Sequence, residues 1–496
     1  MENKRISIIY KIFNLVFLGY LAILPMSNTI ALRNLLLSFL AGSVVIYVSI
    51  NWNQLKFSLS TGSNQLPVVV FMWVGFLVVF PLFAVQTSAA WENFRGQWFQ
   101  SILAWVVGFG AVLILGKRGP GLWALAFASS FSIILHLLLC IAALSGILSK
   151  SFFSHPTFIS VFQSFSSIQP NTLTWQELPV GFTGVEPLHF NLGHAACQAI
   201  VLFSVCLSTS WRLGQRLGVL RAVFSIALCF LSLFIAQSRG AIIFGFIVIL
   251  ISLLISTCLH NLSFRGFFHK YLVGIRFSFL LKISICISIS LILIFVFRSI
   301  ESQERWYSMI DKISVGIKSQ NPVNILCDGI SPQVEAQVRD VFSDRDSAYI
   351  QVLLDGLRLQ DGGRILLMRA GADLVLENPR GLDGSKHSYQ KLIKEKCGHE
   401  PVLHFSHAHQ GWIDLALALG WCGVVLFACL LVYFLHIGWA NMDKFSARPW
   451  AMGLFLMSAF WILRGFSDEV FREHYLQMQA LVIAYLFWRL RLGAEG

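Results

Sequence analysis

The run Gly411-Trp412-Ile413-Asp414-Leu415-Ala416-Leu417-Ala418-Leu419-Gly420 opens an apolar segment long enough to cross a bilayer. It follows directly on His404-Phe405-Ser406-His407-Ala408-His409-Gln410, so three imidazoles stand at the mouth of a membrane helix. Histidine is rare within lipid, and an ionisable group at such a mouth is a candidate for binding or proton transfer. The rest of the chain has the same character. Of its 496 residues, 56% are hydrophobic and 12% charged, with a mean hydropathy of +0.69, the balance of a polytopic membrane protein. Apolar runs of roughly 20 residues suit a ~30 Å hydrocarbon core, and about twelve are present. They centre near residues 18, 40, 76, 107, 134, 200, 227, 249, 287, 424, 456 and 484. The first, residues 6–25, follows Lys4 and Arg5 without a small-residue cleavage site, and reads as a retained first helix.

Basic residues in short connections stay on the cytoplasmic side during insertion. Lys4 and Arg5, Lys56, Lys117 and Arg118, Arg212 and Arg216, Arg265 and Lys270, Lys444 and Arg448, and Arg489 and Arg491 fall on alternate connections and both chain ends. The outer face then holds the connection near Arg95, residues 149–190, the turn Gln237-Ser238-Arg239-Gly240, the long loop 298–410, and residues 464–473. This divides the chain into a membrane part over 1–298, a helical outer loop over 299–410 and a membrane part over 411–496. The net charge of +12 is mostly this topology signal, and no basic stripe interleaved with aromatics suggests nucleic acid.

The long outer loop carries fifteen of the twenty-five acidic residues and fourteen basic ones, so it reads as a folded, water-facing element. Within it, 347–357 and 364–377 are amphipathic helices, the second stopped by Asn378-Pro379. Eight of the ten cysteines lie in or beside apolar spans, where a thiol behaves as a small hydrophobe. The other two, Cys327 and Cys397, share the outer loop and are a candidate disulfide in an oxidising compartment.

Candidate chemistry gathers on the outer face. Arg239 stands where a membrane helix begins, with Ser238 as a cap, an arrangement suited to an anion; the alternative is a side chain snorkelling to the interface. Arg364 and Arg369 lie on a loop helix, either binding an anion or lining a solvated face. Arg305, beside Trp306, is an anion-binding candidate or an interfacial anchor, and Arg95, Arg464 and Arg472 share that face more weakly. Zinc ligation by His404, His407 and His409 would need spacings of three and two that match no common site. His404 and His407 read as structural imidazoles, and His409, nearest the helix mouth, as the candidate base.

His409-Gln410, nine residues, then Gly420-Trp421-Cys422-Gly423 resembles the signature of the WaaL-type O-antigen ligases, within the O-antigen ligase and Wzy polymerase superfamily. Ser238-Arg239-Gly240-Ala241 resembles the family's Ser-Arg motif, and the segment from Arg364 to Glu377-Asn378-Pro379 its arginine-bearing loop helix. The resemblance covers about residues 190–430. The chain departs from it in an extended stretch at about 315–345 and in Asp383-Gly384, where a tighter Gly-x-Gly is usual.

The resemblance implies an all-α fold of the GT-C glycosyltransferase type, with about twelve spans and a large periplasmic loop between spans nine and ten. It implies an inner-membrane enzyme that moves O-antigen from undecaprenyl diphosphate to the outer core sugar of lipid A-core. His409 would be the base, and Arg239 and Arg364 would hold the diphosphate. No cofactor is expected, and no metal, because the first outer connection, Ser27-Asn28-Thr29, offers no acid. A Wzy-type polymerase or a protein O-oligosaccharyltransferase shares the donor and stays an alternative. A lipid-linked glycan transporter is a third, opposed by the gathering of charge at one face instead of along a mid-membrane path.

Overall fold

The computed structural model describes residues 2–26, 29–52, 67–147, 180–181, 184–185, 191–236, 238–263, 308–359 and 361–494. Helix dominates these residues; the exception is a short antiparallel pair in which Val180 faces Val185. Nineteen α-helices are labelled in chain order: α1 Glu2–Ile23, α2 Ile30–Ile50, α3 Val68–Val79, α4 Thr87–Asn93, α5 Phe99–Leu115, α6 Leu122–Ser129, α7 Phe131–Leu144, α8 Leu192–Arg212, α9 Arg216–Ile235, α10 Arg239–Ser263, α11 Met309–Lys318, α12 Pro322–Asp328, α13 Pro332–Val341, α14 Ser347–Leu359, α15 Asp361–Glu377, α16 Ser388–Cys397, α17 Gly411–Ala440, α18 Arg448–Gly465 and α19 Glu473–Ala494. Eleven of the expected span centres fall within these helices, and the one near residue 287 lies outside the described residues.

Among the described residues six helical stretches are long and apolar enough to cross a membrane: Ile30–Ile50, Thr87–Arg118, Leu192–Arg212, Arg216–Ile235, Arg239–Ser256 and Gly411–Ala440. The pair α6 and α7, bent by 43°, makes a seventh if it forms one span. This is the architecture of a multi-pass membrane protein. The chain divides into two compact units, one of residues 1–83, 87–256 and 423–496, the other of 84–86 and 257–422.

The first unit is a helical bundle around α8, nearly all of whose residues are buried. Its sequence is rich in Ala, Ser, Gly and Cys, the small residues that let helix backbones approach when lipid competes for apolar contact. The same logic acts between α5 and α19. A Cβ added at Gly108 would sit 2.5 Å from the Leu481 carbonyl oxygen and 2.8 Å from the Ala484 Cβ, so only glycine permits that crossing. Some buried polar groups are paired across helices, as where Gln198 Nε2 donates to Ser129 Oγ at 3.1 Å beside the α6 to α7 bend. Large apolar side chains such as Leu15, Leu35, Phe71, Phe224 and Leu250 point outward, as lipid-facing positions do.

The second unit is a helical domain. Val315, Ile325, Val334, Val338, Ile350, Leu353, Leu354, Leu357 and Leu366 form its core, drawn from α11 to α15. The stretch at 315–345 is thus the end of α11 with α12 and α13, and it supplies four of those nine core residues. Backbone contact between α11 and α15 depends on glycine, since a Cβ on Gly316 would fall 2.6 Å from the Gly362 oxygen. Cys327 and Cys397 form a disulfide across 70 residues, joining α12 to the end of α16. The amides of Val402 and Leu403 donate to the Cys327 and Leu326 carbonyls at 3.0 and 3.1 Å, tying the chain before the histidines to the same point.

Candidate active site

The histidine loop belongs to the second unit and is held by three devices. Gln410 precedes the first turn of α17, and its side-chain oxygen accepts from the Ile413 amide, satisfying a donor that a helix start leaves open. One turn further on, the Asp414 carboxylate reaches back to accept from the Ala408 amide at 2.8 Å. Ala408 itself is buried, and α15 comes close to it because Gly371 carries no side chain: a Cβ there would lie 2.7 Å from Ile413 Cγ2 and 3.1 Å from the Ala408 Cβ. Pinned on both sides, His409 adopts a left-handed backbone with φ of 54°, a conformation rare outside glycine and asparagine and found where the surroundings over-determine it.

The imidazoles are not independent. His407 Nε2 lies 3.2 Å from His409 Nδ1, with the ring centroids 4.2 Å apart and nearly perpendicular. Ser406 Oγ lies 2.6 Å from His407 Nδ1. His404 is exposed, while His407 and His409 are half-buried. Beside Gly371, burial and then the Asp414 charge push the Tyr389 hydroxyl well above the ordinary tyrosine range, so it stays neutral.

Helix α17 is broken at Gly420, where φ of 74° and ψ of 179° leave the helical region. Residues 379–384 fill the break. The Leu382 and Gly384 amides donate to the Leu417 and Ala418 carbonyls at 2.8 and 2.9 Å, and the Trp421 amide donates to the Pro379 carbonyl at 3.0 Å. The Gln86 amide, from the short 84–86 segment of this unit, donates to the Leu382 carbonyl at 3.1 Å. A Cβ on Gly420 would sit 2.5 Å from the Arg380 carbonyl carbon, and one on Gly381 would sit 2.3 Å from the Gly420 nitrogen. The nine-residue gap between Gln410 and Gly420 is therefore the length of a half-helix with His409 at one end and a backbone-bound break at the other. In the departure from Gly-x-Gly, Asp383 is fully buried, accepting from the Ser385 amide, from Ser388 Oγ at 2.7 Å and from Lys391 Nζ.

The anion-binding candidates fall in different places. Arg364 is exposed on α15, seven residues before Gly371 and hence on the same helix face, roughly 10 Å along the axis. No hydrogen bond or ion pair holds it among the described residues. Arg369 is half-buried, and its Nη1 donates to the Gly316, Ile317 and Ser319 carbonyls at 3.0, 2.8 and 2.6 Å, closing the C-terminal end of α11. Arg305 lies outside the described residues.

Arg95 and Arg239 belong to the first unit. Arg95 is exposed in the π-helical turn Phe94–Trp98. Arg239 is half-buried at the start of α10, whose next residue packs on Arg464: a Cβ on Gly240 would lie 2.9 Å from Arg464 Nη1.

Arg464 is the residue that sequence reasoning underrated. It is 5% exposed, donates to Asp468 Oδ2 at 2.6 Å, and sits over the Phe244 ring. His194 Nε2 lies 3.7 Å from the same carboxylate oxygen. Nearby, Tyr475 donates to Asn191 Oδ1 at 2.6 Å. The signal was available: an arginine inside Phe460-Trp461-Ile462-Leu463-Arg464-Gly465 and a histidine inside α8 are ionisable groups within apolar helices, which are functional candidates by default.

Among the described residues no group of three or more His, Cys, Asp or Glu side chains is arranged to hold a metal ion. Chemically, the second unit offers a paired imidazole on a rigid loop with a cation on the adjoining helix face. No curated protein matches the chain. Residues 224–428, which contain Arg239, Arg364, the histidine loop and the Gly420 break, match the family described as O-Antigen ligase, and this part of the chain is similar to that family.

Proposed function

We propose that this protein is an O-antigen ligase in the narrow sense: it transfers a glycan from undecaprenyl diphosphate to a sugar hydroxyl of lipid A-core, in the bacterial inner membrane, with the histidine loop facing the periplasm. The twelve-span GT-C architecture belongs to the same proposal. The observation that carries it is His409, held in a left-handed conformation at the mouth of a half-helix with a second imidazole against its ring. The Cys327–Cys397 disulfide supports the orientation, since such bonds persist in oxidising compartments.

In this reading His409 removes the proton of the acceptor hydroxyl as that oxygen bonds to the anomeric carbon. The bond from that carbon to the phosphate oxygen breaks, and its electron pair leaves with the undecaprenyl diphosphate. A diphosphate departs with its charge already delocalised, so the protein needs only cations to bind it and to meet the charge that develops. Arg364 is assigned to it from its place on the face of α15 that leads to Gly371, and Arg239 on its Ser-Arg motif alone. The chemistry asks for no metal, because base and charge stabilisation are both supplied by side chains.

The test is to mix the purified protein with undecaprenyl-diphosphate glycan and lipid A-core, with and without chelator. Glycan on lipid A-core in both samples is the expected result. Longer lipid-linked glycan would make the protein a polymerase, and no transfer would remove the enzymatic reading.

A further inference from the structure

Two imidazoles and a hydroxyl lie in line: Ser406 Oγ is 2.6 Å from His407 Nδ1, and His407 Nε2 is 3.2 Å from His409 Nδ1. Each contact is between two atoms that can both donate and accept, so the line can carry its protons in two senses. In the first, Ser406 donates to His407 and His407 Nε2–H donates to His409 Nδ1. That places the remaining proton of a neutral His409 on Nε2, where it is a donor and not a base. In the second, His409 Nδ1–H donates to His407 Nε2 and His407 Nδ1–H donates to Ser406 Oγ. The lone pair of His409 is then on Nε2.

We infer that His407 is the positioning residue of the reaction, accepting the Nδ1 proton of His409 and so keeping the lone pair on Nε2 for the acceptor hydroxyl. This rests on the reading of His409 as base. When Nε2 takes the acceptor proton, the imidazolium keeps its Nδ1–H on His407 Nε2, and the charge is met by a neutral ring. No proton leaves the pair until product forms, and the step balances: one O–H bond breaks and one N–H bond forms.

The geometry supports orientation as well as tautomer. The rings are nearly perpendicular, at 67°, so the in-plane Nδ1 direction of one ring can meet the edge of the other at only a narrow range of His409 rotations. The left-handed backbone at His409 and the imidazole pair occur at the same residue.

The test compares His407→Gln, which places an amide oxygen near the position of Nε2, with His407→Leu, which fills the space without an acceptor. His409→Ala serves as the reference, and turnover is measured with purified protein, undecaprenyl-diphosphate glycan and lipid A-core. His407→Leu is expected to lower kcat roughly tenfold to a hundredfold with both KM values and the melting temperature near those of the parent, and His407→Gln to recover most of the loss. If His407→Leu turns over normally while His409→Ala is inactive, the positioning role is wrong and the base reading stands. If Gln and Leu are equally slow, His407 acts through packing and the role is again wrong. Normal turnover by His409→Ala would overturn the base reading and the inference with it.

Discussion

The amide of Ala408 donates to the carboxylate of Asp414 at 2.8 Å, so the first turn of α17 holds the loop that precedes it. A carboxylate that accepts from backbone amides at a helix start also favours the positive end of the helix dipole. Asp414→Ala should therefore loosen the histidine loop at a cost of about 1.5–3 kcal/mol, the range for a hydrogen bond to a charged group. Asp414→Asn keeps an acceptor and should cost less. Thermal melts of the two variants check this, with activity expected to fall further than stability in the alanine variant. Equal melting and equal activity in both would show that the bond does not order the loop.

Gly420 allows the break in α17. Its φ of 74° and the 2.5 Å approach of the Arg380 carbonyl carbon leave no room for a side chain. Gly420→Ala should destabilise by more than the roughly 1 kcal/mol of an ordinary glycine-to-alanine mismatch, because backbone must move along with the dihedral. Reduced expression of folded protein in detergent, or a clear fall in melting temperature, is expected. A parent-like melt would mean that residues 379–384 yield easily.

Cys327 and Cys397 close a 70-residue separation within the second unit. On the loop-entropy account such a cross-link is worth about 4 kcal/mol. Replacing both with serine should lower the unfolding temperature of this unit, and reductant should do the same to the parent protein. Mass spectrometry of non-reduced peptides reads the bond directly, and free alkylation of both thiols in native protein would contradict it.

Arginine presents a planar fork to phosphate oxygens, and lysine only a point charge. Arg239→Lys and Arg364→Lys should keep part of the activity and the alanine variants almost none, with the loss appearing in donor binding. Chelator should change none of these values. A raised KM for lipid A-core with normal donor binding would move either residue to the acceptor site.

Much of the fold was legible because apolar runs report membrane helices directly. The loop helices ending at Asn378-Pro379 were legible from their punctuation, and the histidines at the mouth of α17 from their proximity to it. The break at Gly420 was not, because a glycine in an apolar helix reads as a packing residue until the 379–384 segment is seen bonded to its backbone. Arg369 was open to two readings on sequence; in the fold its Nη1 is spent on three carbonyls at the end of α11, contacts made across 50 to 53 residues. Arg464 and Asp468 stand four residues apart at the end of α18, but His194 comes from α8, and no local spacing brings it to them. The left-handed φ of His409 and its pairing with His407 are features that the residue type gives no reason to expect.

The central claim is that His409 removes the acceptor proton, and the most direct measurement is the turnover of purified His409→Ala with undecaprenyl-diphosphate glycan and lipid A-core. Losing a positioned base costs roughly a hundredfold or more, while a half-buried imidazole replaced by a methyl group should leave the fold intact. The expected result is parent-like expression and melting with transfer reduced at least a hundredfold. A well-folded His409→Ala protein that transfers glycan at the parent rate would contradict the account.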